Sequence, residues 1–392
     1  MLFEEARRTW ERFLAPVTLD EFLDHTLSGG CRDFPPSELR STLLGPDPEA
    51  LLAGAHALAP QLTFHSANPL GPPPPLADIA DAAAFRERIG QFHARNYSVR
   101  FPDLRPLSAP LEQLARSLEV LLHQPVTASA FWSRGGMRAP VHFDDHDLLV
   151  VQLRGAKRWY LSQRPSELPN VWKGIPASDA LQLGAHTVVD LRPGGMLYLP
   201  RGTLHTVDSD TASVHLAIGF TPLTVRELAL AALDYLSDLE PRLRSTAGAR
   251  LAQQLQGVGF ERLVPPVLEA IEQLRAAART PGFLAAALQR RSARAVAALA
   301  MLPQPLVPVQ LTLQSRLEQA EQAFCHLTAN AEKIDFSYPG GHLYIHRGVE
   351  ASLTYMANTP QFRVAEIPGP ISDEVRLSLA AKLVEIGYLR VA

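Results

Sequence analysis

Pro140-Val141-His142-Phe143-Asp144-Asp145-His146-Asp147 is followed by the apolar run Leu148–Leu153, a turn at Arg154-Gly155 and a second run, Lys157–Leu161. Short apolar runs bounded by turn residues read as strands of a sandwich or barrel. The same texture covers Val126 to Thr221, through Val126–Trp132, Thr187–Leu191, the turn Pro193-Gly194-Gly195, Met196–Leu199 and Ser213–Phe220. Side chains alternate along a strand, so an extended 140–147 segment turns His142 and Asp144 to one face. That pair offers two adjacent corners of an octahedral metal. The stretch Leu199-Pro200-Arg201-Gly202-Thr203-Leu204-His205 offers a third in His205, 63 positions after His142 and just past a proline–glycine turn. Two histidines and one carboxylate leave three positions open, the ligand set of non-haem Fe(II) oxygenases. His-x-Asp alone is a weak signal in a chain with 13 histidines and 40 acidic residues. A second histidine after a turn in the same β-rich region strengthens it.

Outside this region the pattern is helical. Thr18 caps a helix beginning Leu19-Asp20-Glu21, and Leu111, Leu114, Leu118, Leu121 and Leu122 mark an amphipathic helix over Pro110–Leu122. Residues 1 to about 100 otherwise look irregular, and Gly71-Pro72-Pro73-Pro74-Pro75 is a loop. After Pro222, Val225, Leu228, Ala232, Leu236 and Leu239 start a helical block that runs to about residue 300, with breaks at Pro241 and Pro265-Pro266. It reads equally as a dimerisation element or as a brace on the barrel. Met301-Leu302-Pro303-Gln304-Pro305 reads as a linker. The remainder mixes strands at Gly340–Ile345 and Gln361–Ile367 with a helix from Ser372 to Gly387, a pattern that a winged helix would give.

Composition bounds the function. The chain has 392 residues, 46% hydrophobic and 20% charged, with a net charge of -3, so it has a packed core and no polybasic signature for nucleic acid. From residue 301 onward nine acids stand against seven bases, which argues against DNA binding by the C-terminal part. Two distant cysteines, Cys31 and Cys325, build no disulfide framework, and Met1-Leu2-Phe3-Glu4-Glu5 lacks the pattern of a signal peptide. No apolar run reaches the length of a membrane span. The expectation is a soluble cytoplasmic protein.

Only four of the 37 basic residues are lysines, so a lysine is an outlier. Lys157 follows His142 by 15 positions, on what reads as the partner strand of a hairpin. A compact ammonium there suits the far carboxylate of a 2-oxoglutarate cosubstrate. The adjacent Arg158 reads as a solvated charge.

The stretch His142-Phe143-Asp144-Asp145 … Val151-Gln152-Leu153-Arg154-Gly155-Ala156-Lys157-Arg158-Trp159 resembles the Jumonji-C (cupin-type) 2-oxoglutarate oxygenases. So does Leu191-Arg192-Pro193-Gly194-Gly195-Met196-Leu197-Tyr198-Leu199-Pro200-Arg201-Gly202-Thr203-Leu204-His205. Within that class the chain is most similar to the ribosomal oxygenases. The likeness is dense over about residues 95–225; the region before residue 95 departs from it. It implies an α+β protein with a double-stranded β-helix (cupin/jelly-roll) core: a catalytic domain over 1–222, a helical dimerisation region over 223–302 and a winged-helix-like domain over 303–392. It further implies Fe(II) on His142, Asp144 and His205, with Lys157 on the tail of 2-oxoglutarate. The substrate it implies is a protein or peptide side chain, such as histidine or arginine of a ribosomal protein, and the assembly a homodimer. His215, Thr127 and Ser129 are further candidates for cosubstrate or substrate contact, though isolated strand hydroxyls and a buried histidine are also ordinary structural features. Asp147 is placed to hold a ligand imidazole; Asp145 and His146 read as loop groups. Trp132 and Trp159 suit either a substrate groove or the core. Rival readings are the same chemistry on a peptide natural product or small molecule, a non-oxygenase metal-binding cupin, and a transcription regulator. Lys157 speaks against the second and the acidic C-terminal part against the third.

Overall fold

The computed structural model describes residues 3–77, 79, 81–164, 168, 181–246, 264–305 and 309–392. The chain divides into two compact units, residues 2–222 and 223–392.

The first unit is built on two antiparallel sheets. Its strands are β1 (Arg32–Phe34), β2 (Thr63–His65), β3 (Ser98–Phe101), β4 (Val126–Ser133), β5 (Met137–Arg138), β6 (Asp147–Arg154), β7 (Lys157–Ser162), β8 (His186–Leu191), β9 (Met196–Leu199), β10 (His205–Ser209) and β11 (Ser213–Phe220). Seven form one sheet in the order β1-β9-β6-β11-β4-β3-β2, and four form the other in the order β5-β10-β7-β8. Period-two alternation explains the layers. In the larger sheet Val126, Ala128, Ala130, Leu149, Val151, Leu216 and Ile218 pack outward into a core with Trp10, Phe22, Phe85, Phe92 and Leu118 of the N-terminal helices. The alternate positions Leu148, Val150, Leu197 and Ala217 face Trp159, Leu161 and Val207 of the smaller sheet. The run Leu148–Leu153 is apolar but for Gln152, and buried throughout, because β6 is covered on both faces.

The N-terminal region is less irregular than its sequence suggests. Thr18 and Glu21 make a reciprocal capping box on the helix Leu19–Ser28, and Ser108 caps the helix Ala109–Leu122. That second helix is tied to β4 by buried charge: Arg105 pairs with Glu112 and Glu119 at 2.6 and 2.7 Å and also donates to the Val126 carbonyl.

One topological expectation is corrected. β6 and β7 are not a hairpin; the Arg154-Gly155 turn carries the chain from the larger sheet to the smaller. Gly155 has φ of +64°, and a Cβ there would collide with the carbonyl of Ala212, so this crossing needs glycine. Arg158 is exposed, as a solvated charge is, and pairs across strands with Asp190 at 2.7 Å.

In the second unit the helices Val225–Leu239 and Phe283–Ala297 are joined by ion pairs of Asp234 with Arg294 and Asp238 with Arg290. Pro265 and Pro266 belong to the helix Val264–Ala277, and the break expected there falls against residues outside those described. Residues 247–263 of the expected helical block lie outside the described residues. The C-terminal part holds a sheet of Arg316–Gln319, Gln361–Arg363 and Leu389–Val391, and another of His326–Ala329, Lys333–Tyr338 and Gly341–His346. The expected strand Gln361–Ile367 stops at Arg363 and gives way to a short turn of helix. Ser372 caps the helix Asp373–Glu385, and Gly387 follows at φ +76°. Leu302, in the expected linker, is buried in this part's core with Phe336 and Tyr388. No helix among the described residues is long and apolar enough to cross a membrane.

Candidate metal centre and cavity

His142, Asp144 and His205 converge: each offers one ligand atom, and these atoms lie within 4.8 Å of one another. The path to that geometry differs from the expected strand. Residues 140–146 form no regular strand. A single antiparallel bridge joins His142 to His205, with the N–H of each donating to the other's carbonyl at 3.0 and 2.8 Å. The chain then bends, and the Asp144 carbonyl accepts from the N–H of Gly202 at 2.8 Å. The proline–glycine turn before β10 thus carries His205 to the loop that holds the other two side chains. The His205 Nε2 stands 3.6 Å from Asp144 Oδ2, and the two imidazoles lie 4.3 Å apart between centroids.

Both histidines are pre-set for a cation. His142 Nδ1 donates to the Pro140 carbonyl at 2.8 Å, and His205 Nδ1 donates to the Thr203 carbonyl at 2.9 Å. A carbonyl only accepts, so each Nδ1 carries the proton and each Nε2 keeps its lone pair. Burial, with His142 alongside, holds His205 down at about 4, although Asp144 opposes the shift. Two imidazoles with Nε2 turned to a carboxylate are the donor set that Fe(II), or another first-row divalent ion, takes. The residues present fit that group.

The cluster opens on a cavity of about 520 Å³ between the sheets. Thr127, Ser129, Phe131, Leu148, Val150, Trp159, Val207, His215 and Ala217 line it, together with His65, Arg100 and His146. Gly219 lies at the same wall, where a Cβ would come within 2.6 Å of the His146 ring and 3.0 Å of Thr127 Oγ1. His215 is buried and stacks on Phe131 at 4.8 Å, and its Nδ1 has no hydrogen-bond partner among the described residues. Burial, with Lys157 and two other histidines nearby, pushes its basicity far down.

Lys157 lies deeper than the cavity lining. On β7 Lys157 shares a face with Trp159, two positions before it, and pairs in register with Leu191 of β8. It is 2% exposed, its Nζ donates to Ser133 Oγ at 2.9 Å, and burial lowers its pKa to about 7.

Several expectations are resolved by placement. Thr127 and Ser129 share the cavity wall. Trp159 lines the cavity, whereas Trp132 packs against His93 and Phe101 on the other face of the sheet. Asp147 does not hold a ligand imidazole: it accepts from the Tyr198 hydroxyl at 2.5 Å and from the Arg201 N–H at 3.0 Å, bracing the turn before β10. Asp145 pairs with His146 at the exposed rim. Sequence reasoning missed His65 and Arg100 in the wall and the carbonyls of Pro140 and Thr203. Pairing of β3 with β4 sets Arg100 opposite Phe131 and so turns it inward, a relation that no local motif carries.

Comparison with known proteins agrees with this geometry. Residues 108–228 match the family model of the JmjC domain. YxbC of Bacillus subtilis (strain 168) is 31% identical over 141 residues, covering 31% of this chain and 42% of that one. Ribosomal oxygenase 2 of Rattus norvegicus is 27% identical over 140 residues, covering 35% and 30%. The matches thus span less than half of the length of these relatives. Two solved structures of Escherichia coli YcfD, described in one as a ribosomal oxygenase, give TM-scores of 0.57 and 0.54. Both are 16% identical and cover 96% of this chain and 98% of that chain, a likeness of fold. The matched segment, the shared fold and the convergent ligand set make residues 108–228 similar to the JmjC domain, and the chain similar to the ribosomal oxygenases.

Proposed function

We propose that this protein is an Fe(II)- and 2-oxoglutarate-dependent hydroxylase acting on a protein side chain, with histidine or arginine of a ribosomal protein as the target. One observation carries the reading: two histidines with their Nδ1 protons tied to carbonyls aim their free nitrogens at one carboxylate, at the wall of a cavity.

His142, Asp144 and His205 hold the metal, and Lys157 neutralises the far carboxylate of the cosubstrate. Bound there, Fe(II) would couple 2-oxoglutarate and dioxygen, one oxygen atom going into succinate as CO2 leaves and the other into an unactivated C–H bond of the target. The protein's own work is positioning and shielding. The Pro140 and Thr203 carbonyls fix the rotation of the two imidazoles. Leu148, Val150, Trp159 and Val207 keep water from the space beside them. Lys157 has no carboxylate within ion-pair distance among the described residues, so a dianion reaching it gains a charge partner in a dry site. His215 and the hydroxyls of Thr127 and Ser129 stand where a cosubstrate or substrate is held.

The remaining parts fit the same reading. The exposed face Val264, Val267, Leu268 and Ile271 of one helix recurs at three and four, as a homodimer contact would. The region from residue 303, with its two small sheets and the helix Asp373–Glu385, serves as a winged-helix-like protein-contact domain. Two free cysteines suit the cytoplasm.

The test is incubation with Fe(II), 2-oxoglutarate and purified ribosomal proteins, read by intact mass and by succinate release. A gain of one oxygen on a ribosomal protein supports the reading. Stoichiometric oxygenation of a small molecule with none on protein moves it to the rival substrate class, and absence of succinate release under every condition overturns it.

A further inference from the structure

Arg100 is a charge that the proposed chemistry leaves unused. It reaches the cavity wall from β3, opposite Phe131 in register, while its neighbours Val99 and Phe101 point into the core behind the sheet. Among the described residues its guanidinium gives one hydrogen bond, from Nη2 to Ser129 Oγ at 2.8 Å, and it lies over the Phe131 ring at 6.0 Å. A guanidinium has five donors, so most are left to face the cavity. No carboxylate lies within ion-pair distance of it among the described residues. Asp144 is the only acidic side chain among the described residues lining the cavity, and it belongs to the metal cluster.

The charge around a substrate in this space is therefore positive. Arg100 lies in the wall and supplies that charge, since Lys157 behind it is paired with the cosubstrate; His65 and His215 carry little charge, their basicity pushed down by burial first and then by Lys157 nearby. A cationic target side chain entering here meets a fixed guanidinium and finds no carboxylate free to receive it. A side chain with a hydrogen-bond acceptor and no positive charge meets unused donors.

We propose that Arg100 sets the substrate class of the site, selecting a target side chain that carries an acceptor and no positive charge, such as histidine or asparagine, and excluding arginine and lysine. This rests on the oxygenase reading above and narrows it from two target residues to one. Arg100 acts by direct hydrogen bonding to the target, and Ser129 holds the guanidinium in place.

The experiment uses four libraries of acetylated heptapeptides with randomised flanks and His, Asn, Arg or Lys fixed at the centre. Oxygenation is read by mass spectrometry in the loaded enzyme, and binding to the metal-free protein by saturation-transfer NMR. The wild-type protein is expected to favour the His or Asn library over Arg and Lys by roughly 10- to 100-fold, the scale of one like-charge contact in a partly shielded site. Arg100→Glu reverses that order, and Arg100→Gln, which keeps a donor and loses the charge, abolishes it. Thermal melts identify any variant that fails to fold, and the wild-type preference alone then decides. Preference of the wild type for the Arg or Lys library overturns the proposal. So does an order unchanged in both variants, or a raised 2-oxoglutarate requirement in Arg100→Gln with the order intact, which assigns the cation to the cosubstrate. If no library is oxygenated and no succinate appears, the oxygenase reading fails, while the NMR order still decides the role of Arg100.

Discussion

Replacing Lys157 by methionine is expected to stabilise the ligand-free protein and to abolish its response to 2-oxoglutarate. The ammonium is 2% exposed, donates to the Ser133 hydroxyl with no carboxylate in ion-pair distance among the described residues, and has a pKa lowered by burial from 10.5 to about 7. At 1.36 kcal/mol per pKa unit, a fall of about 3.5 units is a penalty of about 5 kcal/mol for carrying the charge. Between pH 7 and 10.5 the unfolded chain holds this proton and the folded chain does not, so stability rises with pH across that window. Below pH 7 both states are protonated and the full penalty stands. Methionine removes it and loses one hydrogen bond of about 1 kcal/mol. Ser133 Oγ keeps its contact with Ser98 Oγ at 2.8 Å. The net gain at pH 6 is then ~4 kcal/mol, or on the order of 10 °C in Tm for a unit of this size. The assay is urea unfolding of both proteins from pH 6 to 10, with and without 2-oxoglutarate. The stability difference should be largest at pH 6, shrink toward pH 10, and shrink also when the dianion supplies the missing partner to the wild type. A variant less stable than wild type at pH 6, or equal stabilisation of both proteins by 2-oxoglutarate, refutes the reasoning.

Two other perturbations separate the site from its scaffold. His142→Ala should end turnover and weaken Co(II) binding, read by the visible absorption of the bound ion, while urea unfolding stays close to wild type; an active variant removes His142 from the ligand set. Arg105→Met strands Glu112 and Glu119, 14% and 2% exposed at their side chains, leaving Arg116 as their ion-pair partner among the described residues and the Val126 N–H on Glu119. Breaking a buried pair from one side costs about 3 kcal/mol, and a loss below 1 kcal/mol in urea would show that Arg116 alone satisfies both acids.

What the sequence shows locally is borne out locally. The strands of the barrel lie within a residue or two of their apolar runs, because turn residues punctuate both ends. The capped helices after Thr18 and Ser372 start where side-chain oxygens find free N–H groups. Relations between distant segments were hidden. A glycine turn between two apolar runs looks the same whether the second strand pairs with the first or crosses to another sheet. At Gly155 the choice is decided by the close approach of Ala212, 57 positions on. Arg100 and His65 come from short strands well before the motif and become cavity residues only through cross-strand register. Asp147 has the spacing of a helper for the ligands, but the Tyr198 hydroxyl claims it, and main-chain carbonyls, which leave no mark in a sequence, hold the imidazoles instead.

The main-chain bridge between His142 and His205 has a consequence for how the centre is loaded. Because each ligand's amide is locked to the other's carbonyl, their spacing is settled when the barrel folds. The ordering entropy of these two side chains' backbones is therefore charged to folding, and capture of the ion spends little on rearrangement. Chelation should strip and restore the centre repeatedly, with the amides of both residues remaining slow to exchange in deuterated water throughout. Oxidative loss of iron then leaves a socket that refills, in place of a damaged fold.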